Sequence, residues 1–175
     1  SQEECDQLIT QYNMLPNIVD HSRQVMRVSL AITDHLQTAV SINRNLVLAA
    51  ALLHDITKTR ALKTKEKHDQ SGAELLQSLG FCRVAEIVRQ HVALEDFDPE
   101  GLLEEQEIVN YADKRVMHDR IVSLPERMKD LIERYGATEE IRQSIRRNGD
   151  QILAVEKKIV SCMAVPLETV IGKLR

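Results

Sequence analysis

Apolar residues return every third or fourth position along nearly the whole chain and no run alternates with period two, a pattern that predicts helices throughout. Ile18, Val25, Ile32 and Leu36, with Ser22 and Ser29 between them, make one stripe of a second helix that starts near Pro16, a residue suited to a first turn. The same spacing predicts helices from Arg44 to Ile56, from Glu66 to Leu79 and from Cys82 to Val92, with Gly80 placed as a left-handed cap between the last two. The stretch "ALEDFDPEGLLEE" reads as an exposed loop running into a helix from Glu104 to Met117. In "SLPERMKDLIERYG" a helix begins at Ser123 or Leu124 and ends at Gly136. Thr138 caps a long helix whose stripe of Ile141, Ile145, Ile152, Val155 and Ile159 runs to Met163, and Pro166 opens a short final segment. The expectation is an all-α single domain over residues 1–175.

Composition changes that picture little. With 43% hydrophobic and 29% charged residues, the chain reads as an ordinary globular protein. A net charge of -4 gives no overall attraction to a nucleic-acid polymer or an anionic membrane, and neither partner is expected. The longest apolar run, Leu46 to Leu53, is far short of the roughly 20 residues that span a bilayer. Cys5, Cys82 and Cys162 are odd in number and widely spaced, as expected of reduced thiols in a cytoplasmic protein.

The chemistry lies where ionisable groups interrupt apolar stripes. In "ALLHDITK" His54 and Asp55 follow a run that belongs to a core, where an unpartnered polar group costs several kcal/mol. His68 leads the stripe of Gly72, Leu75, Leu76 and Leu79, and His91 ends that of Val84, Ile87 and Val88. Asp113 sits among Val109, Ala112 and Val116, and His21 beside the stripe of the second helix. Singly, each has a plainer role, as a hydrogen-bonded core histidine or an aspartate paired with Arg115 or Arg120. Together, six groups from five successive helices point to one metal centre, because imidazole and carboxylate are what borderline divalent ions accept. His35 and His118 are read as surface residues, and Asp69 as support for a helix N-terminus.

The order His21, His54-Asp55, His68, His91 and Asp113, in the contexts "HSRQV", "AAALLHDITK", "HDQSGAELL", "IVRQH" and "NYADKRV", resembles the HD-domain metal-dependent phosphohydrolases across residues 18 to 117. The resemblance implies a helical bundle of HD type, with a C-terminal helical extension over residues 123–175. It implies metal ligation by His21, His54, Asp55 and Asp113, and a two-metal variant that adds His68 and His91 with Asp55 bridging. One or two divalent ions are expected, with iron, manganese, nickel, cobalt and zinc all suited to these ligands. Thr57 stands where many members carry glycine. The Glu-Asp pair of the alarmone hydrolases and the Gly-Tyr-Pro of the cyclic-dinucleotide phosphodiesterases are absent after the HD pair. Lys58 stands where the mononuclear nucleotidase branch has glutamate, and "HDITK" is similar to the dinuclear branch that includes dinucleoside polyphosphate hydrolases.

The resemblance therefore leads to the expectation of a hydrolase that uses metal-activated hydroxide on a nucleotide or related small phosphoester, with Asp55 and Lys58 as catalytic groups. Lys58 and Arg60 are the expected substrate contacts, although a solvated lysine at a helix end would look the same. The basic stretch "KTRALKTKEK" either guides anions or is a solvated loop. Two other readings stay open: a non-haem di-iron oxygenase, and a catalytically silent nucleotide- or metal-binding regulatory module. A homodimer through the long C-terminal stripe is a further expectation.

Overall fold

The structure, a computed structural model, describes residues 1–174. Its helices are α1 (Gln2–Gln11), α2 (Pro16–Thr33), α3 (Arg44–Leu53), α4 (Lys58–Thr64), α5 (His68–Ser78), α6 (Cys82–Arg89), α7 (Glu105–Lys114), α8 (Leu124–Tyr135), α9 (Glu139–Cys162) and α10 (Leu167–Gly172). A two-stranded antiparallel ribbon, β1 (Val116–Met117) and β2 (Arg120–Ile121), interrupts the helical series after α7. No helix among the described residues is long and apolar enough to cross a membrane.

The helix ends follow local chemistry. Pro16 opens α2, and Asn43 accepts hydrogen bonds from the Asn45 and Leu46 amides at the start of α3. Ser123 with Glu126 forms a capping box for α8, and the Thr138 hydroxyl caps α9. α2 packs on α3 and α7, α5 on α6, and α8 against α9. One apolar cluster runs through the interior from Cys5 to Ile171, so Ile152, Val155, Ile159 and Val170 of the C-terminal helices share it with Val25, Val47 and Val88. A bridge between Leu36 and Met163, with the Ala164 amide donating to the His35 carbonyl, ties the end of α9 to the end of α2.

Three differences from the pattern reading bear on the site, beside smaller ones at α5, which starts at His68, and α6, which ends at Arg89. α3 stops at Leu53, because residues 54–57 take tight turns in which the Ile56 amide donates to the Leu53 carbonyl and the Lys58 amide to that of Asp55. The basic stretch forms the short helix α4, closed by Lys65 in the left-handed conformation at φ 64°. The helix expected to reach Met117 ends at Lys114, where β1 and β2 begin with His118 at φ 58° between them.

α7 is the most enclosed element, buried at every position from Glu107 to Lys114. Its outer face is clamped by ion pairs. Lys158 of α9 donates to Glu107 at 2.7 Å and to the Asp98 carbonyl at 2.9 Å, with both charged side chains about 95% covered. Arg115, 2% exposed, donates to the Tyr111 hydroxyl at 2.6 Å and the Val122 carbonyl at 2.9 Å and pairs with Glu168 of α10 at 2.7 Å.

Removing one member of a buried pair strands the other. Lys158→Met is expected to cost about 3 kcal/mol, or roughly 6–12 °C of melting temperature for a domain of this length. The double variant Lys158→Met/Glu107→Met is expected to regain most of that loss, because no charge is left buried. Thermal melts of the two variants check this, and a single variant as stable as its parent contradicts it.

Candidate metal centre

Five elements deliver the six ionisable groups to one place. His21 comes from α2, His54 and Asp55 from the turn after α3, His68 from the first position of α5, His91 from just past α6 and Asp113 from the last turn of α7. Four imidazoles run in series, with ring centroids 5.3 Å apart for His21 and His54, 5.0 Å for His54 and His91, and 5.1 Å for His68 and His91. Asp55 stands between two groups: ligand atoms of His21, His54 and Asp55 lie within 4.8 Å of one another, as do those of Asp55, His68 and His91. Asp113 adds its Oδ1 2.9 Å from His21 Nε2 and 3.7 Å from His54 Nε2.

Backbone carbonyls orient the rings. Nδ1 of His21 meets the His118 carbonyl at 2.7 Å, that of His54 the Ala51 carbonyl at 2.8 Å, and that of His91 the Val88 carbonyl at 2.6 Å. A carbonyl only accepts, so each Nδ1 carries the hydrogen and each Nε2 faces the centre with a lone pair when the ring is neutral. His118 thus keeps its side chain exposed, as expected, while its carbonyl serves the site. The ribbon that follows α7 turns at His118 and so sets this carbonyl against His21.

Two buried polar atoms at the centre have no hydrogen-bond partner, His54 Nε2 and Asp55 Oδ1. His54 is 0% and Asp55 1% exposed, so these atoms would be costly orphans without a ligand. Nε2 of His68 and of His91 lie 3.3 and 3.6 Å from that same Asp55 Oδ1. A cluster of inward-facing nitrogens and unsatisfied carboxylate oxygen fits a divalent cation.

Charge in the site is balanced by lysine. Lys58 Nζ is 2.7 Å from Asp55 Oδ2, and Lys114 Nζ is 2.6 Å from Asp113 Oδ2 and 3.0 Å from the His91 carbonyl. Burial alone would raise the Asp55 and Asp113 carboxyls, but His54 and Lys58 around the first, and Lys114 and His21 around the second, hold both well below the usual carboxylate range. Burial presses His91 down to about 4, leaving it neutral and ready to ligate. Burial also opposes the charged form of His54, yet the charges of Asp55 and Asp113 outweigh it and raise that pKa. A proton on His54 therefore occupies the place that a cation would take.

The centre forms the floor of a cavity of about 610 Å³. Asp55, Lys58, His68, His91, Asp113 and Lys114 line its base. Arg60, an expected substrate contact, is not among its lining residues: its Nε donates at 2.6 Å to Oε1 of Glu66, which does line the cavity. The far wall belongs to α8 and α9, where the sequence carries no motif, and includes Arg127, Met128, Leu131, Tyr135, Ile145 and Asn148. The pattern of residues along the chain singles out neither Lys114 nor Arg127. Adjacency to Asp113 is the one signal that marks Lys114, whereas Arg127 looks like any helix-surface arginine.

Helices that converge a chain of imidazoles on a shared buried aspartate make an α-helical protein with a site that could hold a metal ion. The HD domain family model matches residues 18–117, more than half of the chain, and the chain belongs to the HD domain family, whose members form a metal-dependent hydrolase superfamily. Among curated proteins it is similar to a tRNA (cytidine(56)-2'-O)-methyltransferase of Picrophilus torridus, 29% identical over 149 residues that take in 77% of this chain and 40% of that protein. The chain thus spans about two fifths of that relative's length. No solved structure matches the chain.

Thr57 holds one arm of the cluster. Its hydroxyl donates to the His68 carbonyl at 2.9 Å and accepts from Ser71 Oγ at 2.9 Å, and Gly72 permits the close approach, since a Cβ there would lie 3.4 Å from Thr57 Oγ1 and 3.3 Å from Val88. Thr57→Val, equal in shape but without these bonds, is expected to weaken divalent-metal binding about tenfold, and Thr57→Ser to restore it. Metal titration followed by elemental analysis reads the effect; a valine variant that binds as tightly as the parent removes this role.

Proposed function

We propose that this protein is a metal-dependent phosphohydrolase that acts on a nucleotide or related small phosphoester. The observation that carries the reading is Asp55: buried, with one oxygen unpartnered, it lies between two groups of histidines at the floor of an open cavity and beside an ammonium group. His21, His54 and Asp113 would hold one ion and His68 and His91 a second, with Asp55 shared. Such ions supply Lewis-acid polarisation of phosphoryl oxygens and lower the pKa of water.

The chain's own residues do the rest. Lys58 and Lys114 set two ammonium groups beside the carboxylates, at the cavity base where charge grows on the phosphoryl oxygens during attack. Burial would press the Lys58 ammonium toward neutrality, but Asp55 and Asp113 keep its pKa raised, so it remains a cation across the neutral range. The carbonyl-anchored histidines hold their lone pairs in place without reorganisation, which is the condition for strong electrostatic catalysis. Ribonucleotides head the substrates to assay, because the Picrophilus torridus relative is named for a tRNA modification.

The test is phosphate release from a panel of nucleotides, under anaerobic conditions, by protein loaded with each candidate divalent ion. Turnover is expected to vanish with a chelator and return with metal. Lys58→Ala is expected to lower kcat about 100-fold at unchanged metal content, whereas Asp55→Asn loses both activity and metal. Oxygen-dependent substrate consumption without phosphate release would replace hydrolysis by oxygen chemistry, and Lys58→Ala turning over at the parental rate would remove the lysine from the mechanism.

A further inference from the structure

The cavity is chemically two-sided. Its base holds the carboxylates, histidines and ammonium groups, while the wall opposite, from α8 and α9, presents Met128, Leu131, Tyr135, Ile141, Ile145 and Ile152. Most of these side chains are not spent on the core: Leu131 and Ile145 are half-buried, and Tyr135 and Ile141 are 51% and 41% exposed. The wall's arginine is paired through one nitrogen, Arg127 Nη1 donating to Asp130 at 2.5 Å, while its buried Nε has no hydrogen-bond partner. Along α8 and α9, then, the polar groups on the cavity are few, Arg127 paired with Asp130, Asn148 and the Tyr135 hydroxyl, and among the described residues Lys65 at the end of α4 is the other cation that lines it away from Asp55 and Asp113.

Resting on the phosphohydrolase reading, we propose that the substrate carries a single phosphoryl group on a bulky apolar or aromatic moiety, and that the α8–α9 wall selects it. A cavity of about 610 Å³ has room for a ligand of nucleoside size. The phosphoryl end belongs at the base, where the cationic groups are. Whatever extends from it toward α8 and α9 lies chiefly against side chains that stabilise apolar surface, where further phosphates would find few partners and their desolvation would go largely uncompensated. The same wall leaves small phosphoesters with nothing to bury.

The experiment is calorimetric titration of the metal-loaded protein with methylphosphonate, phenylphosphonate and naphthylphosphonate, and with adenosine mono- and triphosphate, alongside phosphate release from the matching esters. The aryl phosphonates are expected to bind about tenfold or more tightly than methylphosphonate, and the monophosphate more tightly than the triphosphate. Leu131→Asp and Ile145→Asp are expected to abolish the aryl preference, with metal content and melting temperature retained because neither side chain is in the core. Equal binding of methyl and aryl phosphonates, or a preference for the triphosphate, overturns the inference and leaves the hydrolase standing. Failure of every phosphonate to bind together with absence of phosphate release overturns the phosphohydrolase reading itself, and the inference with it.

Discussion

The whole arrangement depends on a carboxylate taken out of water. Asp55 is covered to all but 1% of its surface, and one of its oxygens has no hydrogen-bond partner. A lone ionised carboxylate in such a place would be protonated or would unfold the region, so the fold surrounds it with groups that keep it charged. Lys58 lies on one oxygen, and His68 and His91 approach the other. Asp55 lies in the turn between α3 and α4, where the Lys58 amide donates to its carbonyl and Lys58 Nζ to its carboxylate.

One helix organises the two ends of the cavity. α7 carries Asp113 toward the histidines on its inner side, and Glu107, Tyr111 and the following Arg115 toward α9 and α10 on its outer side. Buried ion pairs contribute little net stability compared with apolar packing, but they are demanding in geometry. Lys158 can reach both Glu107 and the Asp98 carbonyl only if α9 lies in one register on α7. The wall that α8 and α9 raise over the site is thereby held at a set distance from Asp113, although α8 itself packs chiefly on α9.

Much of this was legible in the sequence, for a physical reason. Three-to-four spacing of apolar residues records which face of a helix is buried, and His21, His54, Asp55, His68, His91 and Asp113 stand out because each breaks such a face. Their convergence results once every apolar face must meet one core. What the spacing did not record depends on contacts distant in sequence or carried by the backbone. The end of α3 at Leu53 is set by i to i+3 hydrogen bonds, the ribbon after α7 by a carbonyl of His118 that serves His21, and neither leaves a side-chain signature. The stripe of α9 is read correctly as apolar, yet spacing alone cannot divide it into Val155 and Ile159, which enter the core, Ile152, which belongs to the core and also lines the cavity, and Ile141 and Ile145, which face the cavity. Within the basic stretch spacing does not separate Lys58 and Lys65, which line the cavity, from Arg60, which does not and instead pairs with Glu66.

The pairing of lysine with carboxylate also bears on how the cavity works as a whole. In this structure Lys58 and Lys114 spend their charge on Asp55 and Asp113. A cation taking those carboxylates would compete with both ammonium groups and leave their charge facing the cavity, where a phosphoryl group needs it. Metal binding and anion binding would then favour one another through the shared carboxylates, with no movement of the helices required. The wall of α8 and α9 stands apart from this exchange because its one arginine among the described residues, Arg127, pairs with Asp130 and not with either carboxylate. On the proposed function, charge at the base would govern whether an anion is held, and the shape and polarity of α8 and α9 which one.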